Sequence, residues 1–200
     1  MRLSNRFEKH IVAATAVAMS AAAANASVVN WNCNLVIPFT QRGLYINVET
    51  QAYGSSAGLV AGWDINPYGN STITMSWYGS TLPSGCVMGL GQGGTTVAVA
   101  SLSAGTLVSA ASTFGLDGSS VTNGGWMLNA VNNFGFQFLG GDGLTHYGYG
   151  IMTVGANIGA RTLNSVSYES VAGVGITVVP APGALVLLGL AGIATRRQRS

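Results

Sequence analysis

Residues 72–78 read Thr-Ile-Thr-Met-Ser-Trp-Tyr, so an extended chain carries Ile73, Met75 and Trp77 on one face and Thr74 and Ser76 on the other. The same period of two returns in Phe134-Gly135-Phe136-Gln137-Phe138, and in Leu44, Ile46 and Val48 alternating with Tyr45 and Asn47. Further short runs predict strands at 58–63, 86–90, 95–100, 125–128, 147–154, 163–168 and 175–178. Between them lie clusters that tolerate turn dihedrals: Asn66-Pro67-Tyr68-Gly69-Asn70, Leu82-Pro83-Ser84-Gly85, Asp117-Gly118-Ser119-Ser120 and Gly140-Gly141-Asp142-Gly143. No stretch between the two ends carries a helical apolar stripe. Many short strands at roughly ten-residue spacing predict an all-β domain, an antiparallel β-sandwich or jelly-roll-like fold, with a barrel as the alternative. No internal repeat supports a propeller or solenoid.

The two ends read differently from this body. Arg2, Arg6 and Lys9 form a basic start, residues 11–24 are uncharged and rich in alanine, and Ala24-Asn25-Ala26 has the small-x-small form that signal peptidase cuts. Residues 1–26 are therefore expected to be a signal helix removed after Ala26. At the other end Pro180-Ala181-Pro182-Gly183 precedes an apolar run over 184–194, and Arg196, Arg197 and Arg199 follow. As a helix that run reaches only roughly 16 Å at 1.5 Å per residue. A bilayer core is about 30 Å thick. The segment suits a transient or processed anchor, with the arginines held on the cytoplasmic side. Outer-membrane barrels normally end in a strand, which this chain does not.

Proline-x-proline, short apolar helix and terminal basic cluster, in that order, resemble the PEP-CTERM sorting signal of Gram-negative bacteria. Pro180-Ala181-Pro182 stands where that family has Pro-Glu-Pro. The resemblance implies processing by an exosortase, a membrane transpeptidase-like protease, and delivery to the cell surface or extracellular matrix. The body is similar in outline to the ectodomains of such proteins in Gly62-Trp63-Asp64-Ile65-Asn66-Pro67-Tyr68, in Phe134-Gly135-Phe136-Gln137-Phe138 with His146-Tyr147-Gly148-Tyr149-Gly150, and in Ser167-Tyr168-Glu169. This implies a β-rich surface domain with no catalytic residues to carry over. The chain thus divides into residues 1–26, a sandwich ectodomain at 27–178 and a sorting segment at 179–200.

Charge follows the same division. Of the basic residues, three lie in the signal segment and three in the tail, leaving Arg42 and Arg161 against Glu49, Asp64, Asp117, Asp142 and Glu169, a net of two minus five or −3. The positive balance of the whole chain belongs to its targeting ends, so nothing supports a nucleic-acid partner for the body. About 150 residues suffice for one buried core. Sparse charge with abundant Gly, Ser, Thr and Asn could mean disorder, but the regularly spaced aromatic and β-branched residues argue for a folded domain.

Cys33 and Cys86 are the two cysteines. In an exported chain the pair is expected to form a disulfide, closing a loop of about fifty residues and stabilising by roughly 4 kcal/mol. The other reading is two free buried thiols. With a single ectodomain histidine, they make a poor metal set.

Catalytic patterns occur but lack their context. Gly54-Ser55-Ser56-Ala57-Gly58 has the letters of a nucleophile elbow, and Asp117 or Asp142 with His146 completes a Ser, Asp, His order. An elbow needs a strand-turn-helix in an α/β sheet, which this pattern does not provide. Gly89-Leu90-Gly91-Gln92-Gly93-Gly94 precedes a strand pattern rather than the helix that would hold a phosphate, and reads as a turn. Asp142 among glycines has too few oxygen neighbours for Ca²⁺. His146 reads as a strand residue with no paired carboxylate in view. No enzyme, cofactor or metal is expected.

Two functions remain. One is a structural or adhesive surface protein; the other is a carbohydrate-binding module, motivated by Trp31, Trp63, Trp77, Trp126 and many tyrosines on a sandwich. Trp77, alternating with Ile73 and Met75, is expected to point inward.

Overall fold

A computed structural model describes residues 26–79, 86–90, 98–115 and 125–179. The described chain is nearly all β, and every strand pairing is antiparallel. In chain order the strands are β1 (Val28–Val36), β2 (Tyr45–Ile46), β3 (Tyr53–Gly54), β4 (Ile65–Tyr68), β5 (Ser76–Gly79), β6 (Cys86–Leu90), β7 (Ala98–Val99), β8 (Leu107–Val108), β9 (Phe114–Gly115), β10 (Ala130–Leu139), β11 (Thr145–Val154), β12 (Arg161–Glu169) and β13 (Ile176–Thr177). One 3-10 turn spans Ala57–Leu59.

The large sheet runs β1-β12-β11-β10-β6-β7, with β9 also paired to β6. A second sheet, β3-β2-β4-β5, packs against one face of it, as in a β-sandwich, through a core that includes Ile46, Ile65, Met75, Trp77, Phe134, Phe136, Phe138, Met152, Leu163 and Val166. A smaller layer made of β8, β13 and neighbouring loops covers part of the other face, packing Val108, Ile176, Val178, Ala100 and Leu102 on Tyr147, Tyr149 and Ile151. Central strand β11 is therefore buried on both sides. That explains why it reads Thr-His-Tyr-Gly-Tyr-Gly-Ile-Met-Thr-Val with no polar face.

The Phe-Gly-Phe-Gln-Phe and His-Tyr-Gly-Tyr-Gly motifs prove to be the two arms of one hairpin. Cross-strand partners are Phe134 with Gly150, Phe136 with Gly148 and Phe138 with His146. Each glycine leaves room for the opposing ring: a β-carbon at 148 would stand 2.7 Å from Phe136 Cε2. The rings then continue as an aromatic spine, with Trp77 and Phe134 at 4.3 Å and the successive phenylalanines at 6.0 Å. The turn between the arms is the expected Gly140-Gly141-Asp142-Gly143, in which Gly143 takes φ +76 and Asp142 Oδ1 accepts from Leu144 N–H at 2.8 Å.

Four expectations are corrected. Residues 58–63 form the 3-10 turn and a loop rather than a strand, because Asn47 donates to the carbonyls of Ala61 and Gly62 and Asp64 accepts from Val48 N–H, folding this segment back on itself. Ile73 is 70% exposed and lies outside β5, so only Met75 and Trp77 of that face reach the core. Residues 66–68, read as part of a turn over 66–70, belong to strand β4 (Ile65–Tyr68). Pro67 is tolerated there, and its carbonyl accepts from Leu44 N–H. Residues 125–128 are not a strand either, although Trp126 is buried and donates to Val99 O at 2.7 Å. The sequence reading has no strand at Val28–Val36, yet β1 forms the edge of the large sheet.

Candidate functional site

The outer face of the β3-β2-β4-β5 sheet carries an aromatic ledge. Leu44, Ile46 and Val48 point into the core, which turns Tyr45 outward; Trp77 and Gly79 are buried, which turns Tyr78 outward at 52% exposure. Trp63, held at the mouth of β4 by the Asn47 and Asp64 bonds of its loop, meets both rings. Its centroid lies 4.9 Å from Tyr45, edge to face, and 6.0 Å from Tyr78, nearly parallel at 26°. Beneath them Asn66 is buried and donates to Arg42 O at 2.9 Å, fixing the strand that pairs with Tyr78. In a second aromatic pair, the half-buried Trp31 of β1 lies 6.3 Å from the exposed Tyr53 of β3.

On the uncovered part of the large sheet lies a shallow groove of about 280 Å³ lined by Asn32, Asn34, Val131, Ile151, Thr153, Asn164 and Ser165. Its floor is shaped by irregular register: β1 and β12 slip between Asn32 and Leu35, β12 and β11 between Ile151 and Met152, and Asn34 takes φ +49. Its polar groups are partly engaged with one another, as in Thr153 Oγ1 donating to Asn164 Oδ1 at 2.8 Å.

Charge is segregated along the strands. At one end Arg161, 3% exposed, donates through Nη1 to Ile158 O and through Nη2 to Pro38 O and Gly69 O, while its Nε finds no partner. Burial brings its pKa down to about 10, so it stays charged at neutral pH. At the other end sit Glu49, bonded to Gly141 N–H, with Asp142 and Glu169. Burial, then the charges of Glu49 and Asp64, raise the Tyr168 hydroxyl above its usual range there. His146 lies in the same cluster, its Nδ1 2.9 Å from Glu169 O and its Nε2 3.2 Å from Asp142 Oδ2. Of the two aspartates that the Ser, Asp, His order offers, Asp142 in the hairpin turn meets His146, four residues away.

The remaining sequence-derived residues fall as follows. Trp77 and Trp126 are core residues, whereas Trp31 and Trp63 keep exposed surface. The letters of the Ser, Asp, His order do not assemble into a relay, since both nitrogens of His146 already face acceptors and none faces Ser55 or Ser56. Among the described residues no His, Cys, Asp or Glu cluster could hold a metal. Cys33 is a free thiol whose Sγ donates to Leu163 O at 3.3 Å, and burial raises its pKa. The expected bridge to Cys86 does not fit the sheet order: β12, β11 and β10 separate β1 from β6. Four strand spacings are roughly 19 Å, against a Cα reach of about 7 Å. Ala24, Asp117, Pro180, Ala181, Pro182, Gly183, Arg196, Arg197 and Arg199 lie outside the described residues, while Ala26 is exposed at the start of them. Among the described residues no helix is long and apolar enough to cross a membrane.

Compared with protein-family models, with curated proteins and with solved structures, the chain gives no match.

Proposed function

We propose that this chain is an exported, non-enzymatic adhesive protein of the cell surface or matrix, and that it holds extracellular polysaccharide on the Tyr45, Trp63 and Tyr78 ledge. The observation that carries the reading is the solvent-facing ledge itself, with Tyr78 exposed and Tyr45 and Trp63 half-buried, in a domain where Trp77 and Trp126 are committed to the core. Ring faces offer apolar contact to the C–H faces of sugars, and tyrosine hydroxyls add polar contact at the rim. An uncharged, hydroxyl-rich and amide-rich surface suits a neutral glycan better than an anionic one. The signal segment ending at Ala26 and the Pro180-Ala181-Pro182 tail supply the route: signal peptidase, transient membrane attachment and exosortase processing. Helices flanking a jelly-roll-like sandwich belong to the same reading.

A glycan array probed with the exported protein tests it. Binding to one class of neutral glycan, lost in Trp63→Ala and in Tyr78→Ala while the circular dichroism spectrum is unchanged, is the expected result. No binding to any glycan, or binding indifferent to both substitutions, overturns the ledge as the site and leaves a structural role.

A further inference from the structure

We propose that hydrolysis of the Ala26–Ser27 bond delivers the new α-ammonium group of Ser27 to the buried carboxylate of Glu169, so that export maturation completes the acidic end of the fold. The inference rests on the exported reading and adds to it a chemical role for the cut end.

Ser27 N lies 2.8 Å from Glu169 Oε1. The position is fixed from both sides, because Ser170 N–H donates to Ser27 O at 3.0 Å and Val28 pairs with Glu169 in the β1 and β12 register. Ser27 itself is exposed, so the bond to be cut is at the surface, while Glu169 is 4% exposed. A buried carboxylate needs a cation or several donors. Val171 N–H, at 3.1 Å, and the Ser170 hydroxyl, at 3.5 Å, also face Oε1.

Among the described residues no arginine can serve here. Arg161 lies at the opposite end of the same strand, about 26 Å away over eight residues. Arg42 follows Thr40, whose carbonyl accepts from Gly69 N–H, and Gly69 O in turn accepts from Arg161, so both arginines occupy that far end. The titratable groups at this end of the fold are Glu169 and Tyr168 on β12, His146 on β11, Asp142 in the turn and Glu49 beyond β2, and of these Glu169 touches the Ser27 nitrogen. His146 directs its ring nitrogens at Glu169 O and Asp142 rather than at the Glu169 carboxylate. The chain's lysine is Lys9, inside the segment to be removed. The α-ammonium is thus the one primary amine of the processed protein.

In the step itself water adds across the amide: its oxygen goes to the Ala26 carbonyl carbon, giving a carboxylate on the released peptide, and the Ser27 nitrogen leaves as an amine that takes a proton. Because an ammonium paired with a carboxylate has its pKa raised, the sign is fixed. The added stability is full below the ordinary α-amino value of about 7.7–8.0 and is lost as pH rises through the higher folded value.

The test uses the processed protein recovered after export. Intact mass first reads its amino terminus; acetic anhydride then acetylates the single amine, and Tm is followed from pH 6 to 10. The expected results are a terminus at Ser27, a fall in Tm of about 3 °C on acetylation at pH 7, no such fall in Glu169→Gln, and convergence of the acetylated and free forms above pH 9. A Ser27 terminus with acetylation neutral at every pH overturns the pairing and leaves export intact. A polypeptide still beginning at Met1 overturns both, and the mass distinguishes the two failures.

Discussion

The ring of Phe134 lies over the bare α-carbon of its cross-strand partner Gly150, and a β-carbon at 150 would overlap Phe134 Cζ. Adding one methyl group must therefore move a ring that is itself wedged against Trp77. Gly150→Ala is expected to cost about 1–3 kcal/mol through overpacking, whereas Gly58→Ala, with nothing near its β-carbon, should change stability little. Paired denaturant titrations check the contrast. Equal midpoints for the two variants would contradict the packing described here.

Arg161 ties three segments together through the carbonyls of Pro38, Gly69 and Ile158. Arg161→Ala leaves those acceptors unpaired and should cost about 3 kcal/mol. Arg161→Lys should recover only a minor part, because one ammonium cannot span acceptors arranged for a guanidinium fork. Thermal unfolding of both variants measures this.

Acid stability carries the mark of the hairpin turn. Leu144 N–H first, and His146 second, hold the exposed Asp142 carboxyl below its ordinary value of 3.8. A carboxyl with a depressed folded pKa contributes stability above its unfolded value and loses it as pH falls through the folded one. Below about pH 4 the wild type should therefore lose stability faster than Asp142→Asn, which keeps the Oδ1 acceptor for Leu144 but has no proton to take up. Identical acid unfolding curves for the two proteins would contradict this.

Cys33 should behave as a shielded thiol. Burial raises its pKa and its Sγ is engaged by Leu163 O. In a Cys86→Ser variant, reaction with a thiol reagent at pH 8 is expected to be slow in the folded protein and fast in denaturant, and equal rates in both would count against the assigned burial.

The parts legible in the sequence were those governed by local pattern. Period-two alternation identified β10, short strand-forming runs marked β11 and β12, and the glycine-rich run between β10 and β11 marked a real hairpin turn. Alternation failed where side-chain bonds overrule it: Asn47 and Asp64 draw residues 58–63 into a loop that the apolar letters disguise as a strand. It also failed at β1, whose alternation of Val29, Trp31, Cys33 and Leu35 with asparagines follows directly on the targeting segment. Of the ledge, the tryptophans were visible as residue types. Which of them face solvent depends on strand register: Trp77 points inward because Met75 does, while Trp63 sits outside the ladder altogether. The meeting of Ser27 with Glu169 spans 142 residues, and no local pattern could have signalled it.

Affinity electrophoresis of the processed protein through gels containing the producing cell's own extracellular polysaccharide tests the adhesive reading most directly. The account predicts strong retardation of the wild type and near-free migration of Trp63→Ala. Equal mobility of the two proteins, with and without polysaccharide in the gel, would contradict it.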